Sequence, residues 1–415
     1  MSRLLIKNIK GLVQAGENLP RTVKGEEMKK LPVIENAFLA VENGKILSYG
    51  PMEDMLGIDD WRNLEIIDAS GKYILPAFCD SHTHVVFAKS REEEFVDKIN
   101  GLSYEEIAAK GGGILNSARV LGETDEEELY RSAWNRLDQV MYSGTGAIEI
   151  KSGYGLTPEA ELKMLRVIKR LRENHPLTIK STFLGAHAYP KELKENHPEY
   201  LRQIKEEMLP VIHEEGLADY IDAFCERGYF SVEELVEVMN AGKAYGLIPK
   251  IHVNQFSILG GVKAAVEHGA LSVDHLEEIS EEDIAVLKGS TCMPTVLPSC
   301  SFFLNIPFGK ARMMLDNGLP LALATDFNPG TTPSGNMLFL WSLACIKLRL
   351  TPEEALNAMT INTAYAMGLS ETHGTISEGK VANLIMTKEI PSLAYIPYSF
   401  GENTIDTVLI NGKIM

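Results

Sequence analysis

The chain has 415 residues and a mass of 45.9 kDa, more than a single hydrophobic core usually sustains unless the fold is a barrel. Hydrophobic residues supply 45% and charged residues 23%, with 34 Gly and 19 Pro dispersed, which excludes a disordered, collagenous or coiled-coil protein. Lys and Arg number 40 against 57 Asp and Glu, a net charge of −17 with no basic run, so nucleic acid is not an expected partner.

In chain order, residues 1–75 read as short strands, apolar stretches such as Phe38-Leu39-Ala40-Val41 and Ile46-Leu47 being split by the turn Glu42-Asn43-Gly44-Lys45. From 76 to 373 the text alternates β-rich runs with segments of helical period, as in Glu159 to Ile168, which predicts a parallel sheet. Eight strands are expected there: Ile74 to Cys79, Ala147 to Ile150, Thr178 to Phe183, Ile221 to Phe224, Pro249 to Val253, Leu271 to Val273, Thr291 to Pro294 and Leu321 to Ala324. Eight strands with helical connections make a (β/α)₈ barrel of the TIM type, whose catalytic residues sit where strands end. Residues 374–415 return to short strands around Asn411-Gly412. They are expected to join 1–75 in one composite β-sandwich domain, with the 76–373 barrel inserted between.

The N-terminal MSRLLIKNIKGLVQ has too short an apolar run for a signal peptide, and about eighteen consecutive apolar residues occur nowhere. A cytoplasmic protein with no membrane partner is expected. Cys79, Cys225, Cys292, Cys300 and Cys345 form no C-x-x-C pair, which argues for free thiols and against a thiolate zinc site.

Ser81-His82-Thr83-His84 closes the first barrel strand, and because strand side chains alternate, His82 and His84 point the same way. Two imidazoles on one side are half a metal site. His252 ends the fifth strand and Asp326 follows the eighth. Taken alone, His252 reads also as a satisfied core histidine and Asp326 as a helix N-cap. Together, three His and one Asp at one barrel rim suit Zn²⁺ or Fe²⁺ and leave room for a water. No bridging lysine is indicated, so one divalent ion per chain is expected.

The segment Asp68 to His84, with Leu75-Pro76-Ala77-Phe78-Cys79-Asp80-Ser81-His82-Thr83-His84, resembles the opening of the barrel in the amidohydrolase superfamily, although Ala77 stands where Gly is usual. Arg91-Glu92-Glu93-Glu94-Phe95, Ile107 to Ile114, Lys151-Ser152-Gly153-Tyr154-Gly155-Leu156, Leu184-Gly185-Ala186-His187 and Thr325 to Thr331 are similar, in order, to the branch that opens an imidazolone ring. What the resemblance implies is hydrolysis of the cyclic amide of 4-imidazolone-5-propanoate to N-formimino-L-glutamate, a step of histidine degradation, in a homodimer using Zn or Fe.

On the residues themselves, a divalent ion that lowers a water's pKa to about 7 would supply the nucleophile. Asp326 can accept the water's proton and pass it to the departing ring nitrogen. His275, after the sixth strand, is placed to polarise the carbonyl, and reads equally as a supporting histidine. Arg91 offers a guanidinium fork for the substrate's carboxylate, its plain alternative being a surface pair with Glu92 to Glu94. By the resemblance, Tyr154, His187, Gln255, Asn328, Gly330 and Thr331 contact the substrate, with Tyr104 as a looser candidate. Gln255 stands where some relatives have Glu, and an amide can orient a ring or water but not carry a proton. Gly111-Gly112-Gly113 read as a close-approach loop or a flexible one. His175, His197, His213, His268 and His373 read as bystanders. Competing readings are a cytosine or guanine deaminase, which would not need a carboxylate-binding cation, and a barrel without metal that serves assembly.

Overall fold

A computed structural model describes residues 3–57, 62–102, 106–107 and 110–415. Tyr104 lies outside them. Five strands come first: β1 (Arg3–Val13), β2 (Val33–Glu42), β3 (Lys45–Pro51), β4 (Leu64–Asp68) and β5 (Lys72–Pro76). The β2–β3 hairpin turns on Asn43 and Gly44, both at positive φ (50° and 79°), the conformation a two-residue turn matched to strand twist requires.

The barrel strands are β6 (Phe78–Thr83), β7 (Thr145–Lys151), β8 (Thr178–Ala186), β9 (Tyr220–Cys225), β10 (Ile248–Val253), β11 (Ser272–His275), β12 (Met293–Val296) and β13 (Ala322–Leu323). They pair in sequence order, every ladder parallel. Helices cover them outside, so strands such as β6, β7 and β9 are buried along their whole length. Helix starts are written in the sequence. Thr157 caps Pro158–Asn174, and Ser231 with Glu234 forms a capping box on Val232–Ala244. The barrel closes through backbone beyond its shortest strand: Asp326 N–H donates to His82 O (3.0 Å) and His84 N–H to Phe327 O (2.8 Å).

The terminal sheet is completed by β14 (Leu384–Glu389), β15 (Ile405–Ile410) and β16 (Lys413–Ile414). β14 runs antiparallel to β5, Ile385 facing Leu75 and Met386 facing Ile74, so the two ends of the chain share one sheet. That sheet is a path of seven strands with β4 branching from β1, folded over its own core: Ile46 on β3 and Leu409 on β15, far apart in strand order, belong to one buried cluster.

The run Ile74 to Cys79, expected as one strand, is two. Ala77 N–H donates to Asn383 O (2.9 Å), and the chain switches there from terminal sheet to barrel. Gly146 makes room for the Ala77 side chain, since a Cβ on Gly146 would lie 2.6 Å from that of Ala77. No helix among the described residues is long and apolar enough to cross a membrane.

Candidate active site

The C-terminal ends of the barrel strands carry the candidate metal ligands. His82 and His84 leave β6, His252 leaves β10, and a nitrogen of each lies within 4.8 Å of the others. Asp326 Oδ1 is 3.7 Å from both His82 Nε2 and His84 Nε2. The tautomers are set from behind. His82 Nδ1 is 2.7 Å from Asp274 Oδ2, and His252 Nδ1 is 2.7 Å from Asp222 Oδ2. Each carboxylate accepts the Nδ1 proton, leaving both Nε2 lone pairs aimed inward. His82 Nε2 is buried without a hydrogen-bond partner. An orphaned imidazole nitrogen, two further imidazoles and a carboxylate in one buried cluster fit a divalent ion of the Zn or Fe type.

Burial drives the three histidines well below their ordinary pKa, and each also feels the other imidazoles. Neutral imidazole is the ligating form. Burial pushes the Asp326 carboxyl up to about 6. His275 moves opposite to the three histidines: burial opposes its charge, but Glu277, 3.4 Å from Nδ1, together with Asp326 and Asp274, raises it. Asn254, His275, Leu276 and Asp326 all adopt positive φ (57°, 89°, 60° and 58°). Such strain in residues other than glycine clusters where strand ends must aim side chains at a site.

A cavity of about 330 Å³ opens over this cluster, and Arg91, Tyr154, His187, Gln255, Asn328, Gly330 and Thr331 all line it, with His84, His252, His275 and Asp326. The Tyr154 ring lies 5.6 Å from that of His84 and 5.8 Å from Arg91 Cζ. Arg91 Nε donates to Ser117 Oγ at 2.9 Å and lies 3.9 Å from Glu94 Oε1, so part of the expected pairing with Glu92 to Glu94 is present, while Nη2 is buried without a hydrogen-bond partner. Burial depresses His187 to about 4, and its Nδ1 lies 2.9 Å from Gly153 O. Asn328 turns inward on its own loop, its Oδ1 accepting from Gly330 and Thr331 N–H and its Nδ2 donating to Asp326 O. Gln255 donates to Cys300 Sγ at 3.6 Å.

The triple-glycine loop lines a neighbouring cavity with Tyr189 and Tyr229, and Gly113 N–H donates to Glu94 Oε1 (2.9 Å). His175, His197, His213, His268 and His373 are not among the residues lining the cavity over the histidines. Lys180 faces Asp219, away from the histidines.

Residues 73–415 match the model of the amidohydrolase family. Curated relatives named imidazolonepropionase are 60% identical in Christiangramia forsetii, over 99% of this chain and 100% of the relative, and 41% identical in Geobacillus kaustophilus, over 100% and 98%. The chain belongs to the imidazolonepropionase family of amidohydrolases. Its fold is shared more widely: guanine deaminase of E. coli superposes with a TM-score of 0.74 over 100% of this chain and 99% of that one, at 14% identity. As in amidohydrolases generally, the residues for a metal site are present.

Sequence reasoning did not reach several groups that shape this imidazolonepropionase-family site. Asp222 and Asp274 hold the candidate metal histidines, Glu277 faces His275, and Phe224 and Tyr229 form a wall of the cavity. A signal existed for two of them. Asp222 is a carboxylate inside the largely apolar strand Tyr220–Cys225 and Asp274 one beside His275 in Ser272–His275, and a carboxylate within a barrel strand demands a buried partner.

Proposed function

We propose that the chain hydrolyses 4-imidazolone-5-propanoate to N-formimino-L-glutamate, with one divalent ion, Zn or Fe, held by His82, His84, His252 and Asp326. The observation that carries this reading is Arg91. Its Nη2 is a buried donor with no partner, in the same cavity as the histidines, with Tyr154 between. A carboxylate on a short side chain satisfies that donor and neutralises the guanidinium in a mostly buried setting, whereas a neutral purine or pyrimidine can accept the hydrogen bond but leaves the charge uncompensated.

When bound, the ion supplies a water acidified to near neutrality and withdraws charge from the ring carbonyl. Asp326 takes the proton of the attacking water and returns it to the ring nitrogen as the C–N bond breaks. His275, whose protonated form the neighbouring carboxylates of Glu277, Asp326 and Asp274 favour against burial, stabilises the negative charge that develops on the carbonyl oxygen. His187, Tyr154 and Gln255 enclose the ring, and Gln255 orients without transferring a proton. Asn328 and Gly330 shape the loop that carries Thr331, whose hydroxyl donates to Asp326 Oδ2 at 3.2 Å.

The test is turnover of freshly generated imidazolone propionate, with metal analysis of the same sample and guanine and cytosine as competing substrates. Ring opening with one ion per chain is the expected result. Deamination of either base with no ring opening overturns the reading. A cytoplasmic homodimer belongs to the same proposal, and light scattering would give twice the chain's 45.9 kDa.

A further inference from the structure

Beneath the histidines, inside the barrel, lie five charged side chains with no solvent exposure: Glu149, Lys151, Asp222, Lys250 and Asp274. Lys151 is at their centre. Its Nζ is 2.8 Å from Glu149 Oε1, 3.0 Å from Asp222 Oδ2 and 3.6 Å from Asp274 Oδ2. Two of those oxygens are already in use. Asp222 Oδ2 is the atom bonded to His252 Nδ1, and Asp274 Oδ2 the atom bonded to His82 Nδ1, each at 2.7 Å. One ammonium is thus joined to two metal histidines, through a single oxygen in each case.

We propose that Lys151 is a positioning residue for the metal site: it ties together the two carboxylates that orient His82 and His252. The inference rests on the metal reading given above. The three atoms that meet at Lys151 come from β7, β9 and β11, and the histidines from β6 and β10, so one contact point links five barrel strands. Without the ammonium, Asp222 and Asp274 would face each other with no cation between them, and repulsion would turn both carboxylates and the imidazoles they hold. Loss of side chains that orient metal ligands typically costs roughly 10- to 100-fold in metal affinity.

A buried ion cluster can also serve the fold alone, and Lys250 separates the two roles. It is equally buried, lies 2.9 Å from Glu149 Oε2 and donates to Ala366 O at 2.7 Å, but makes no hydrogen bond or ion pair to Asp222 or Asp274. Loss of Lys250 therefore removes a comparable buried charge while leaving every direct contact to the histidine supports in place, its own pull on Asp222 acting only through space.

The experiment takes the full chain, strips it with a chelator and titrates Co²⁺, reading affinity by calorimetry and ligand geometry from the visible d–d spectrum. Urea unfolding runs in parallel. Lys151→Met and the charge-balanced pair Glu149→Gln with Lys151→Met should lose roughly 10- to 100-fold in Co²⁺ affinity and shift the spectrum, while Lys250→Met stays within about threefold. If Lys151→Met does not fold, the charge-balanced pair decides. An unchanged spectrum and affinity in the Lys151 variants overturns the proposal, and so does an equal loss in Lys250→Met. Failure of the wild type to bind Co²⁺ overturns the metal reading itself, a different outcome.

Discussion

A Cβ on Gly330 would lie 2.6 Å from Nη1 of Arg91. The glycine is therefore the space in which the guanidinium rests. Gly330→Ala should displace Arg91 and raise KM roughly tenfold while metal content stays that of the wild type. Arg91→Ala removes the cation outright and should cost about 2 to 5 kcal/mol in kcat/KM, with Lys restoring only part because it lacks the fork. Steady-state kinetics on the propionate substrate decide. Normal KM in both variants would mean that the carboxylate is bound elsewhere.

Removing a metal ligand should remove the metal. His82→Ala and His252→Ala are expected to lose ion and activity together. Asp326→Asn should retain part of the ion yet fall roughly 10²- to 10⁴-fold in kcat, the usual share of positioned proton transfer. Metal analysis beside single-turnover kinetics checks this. A second buried group, His275, Glu277 and Cys300, also lies within 4.8 Å, so two tightly bound ions per chain would overturn the single-ion reading.

Glu161 is fully buried on the helix Pro158–Asn174 and gathers the backbone of the loop that carries Tyr154. Its Oε1 accepts from Gly155 (2.7 Å) and Leu156 (3.0 Å), and its Oε2 from Gly153 (3.0 Å). Glu161→Gln turns an amide toward these N–H groups. The expected cost is about 1 to 3 kcal/mol of stability with a raised KM and unchanged metal content. An unaltered KM would show that Tyr154 holds its place without the carboxylate.

Acid should destabilise the fold partly through His373. Burial, helped by Lys380, pushes it down to about 4 from an ordinary 6.5. Because the folded value is depressed, the unfolded chain takes the proton first, so stability is full above about pH 6.5 and is lost as pH falls toward 4, by up to ~3 kcal/mol. His373→Gln keeps a polar group near Thr178 Oγ1, which lies 3.0 Å from His373 Nε2, and should flatten part of that acid limb. Urea unfolding of metal-free protein at a series of pH values is the measurement. Parallel curves for wild type and variant would sink the assignment.

What the sequence disclosed follows from how local each signal is. His82 and His84 share a face because they are two apart on one strand, and His252 and Asp326 fall at strand ends that periodicity locates. The supports were hidden by distance. His82 finds Asp274 across 192 residues, and Lys151 finds Asp222 across 71, pairings that arise only when the barrel closes. The boundary inside Ile74 to Cys79 carried one local sign, Pro76, which cannot donate to a strand ladder and ends β5. What the local sequence did not show is Asn383, far along the chain, whose carbonyl takes the Ala77 N–H where one sheet hands over to the other.

The pairing of β5 with β14 imposes an order on biosynthesis. Strand β14 leaves the ribosome about three hundred residues after β5, roughly 15 to 60 s later at ordinary elongation rates. Throughout that interval β5 exposes an unpaired edge directly ahead of the strand bearing His82 and His84. A nascent chain stalled before residue 384 therefore presents an adhesive strand to its neighbours on the polysome. Slower translation should thus increase the insoluble fraction of this protein, unless a chaperone covers β5 until its partner arrives.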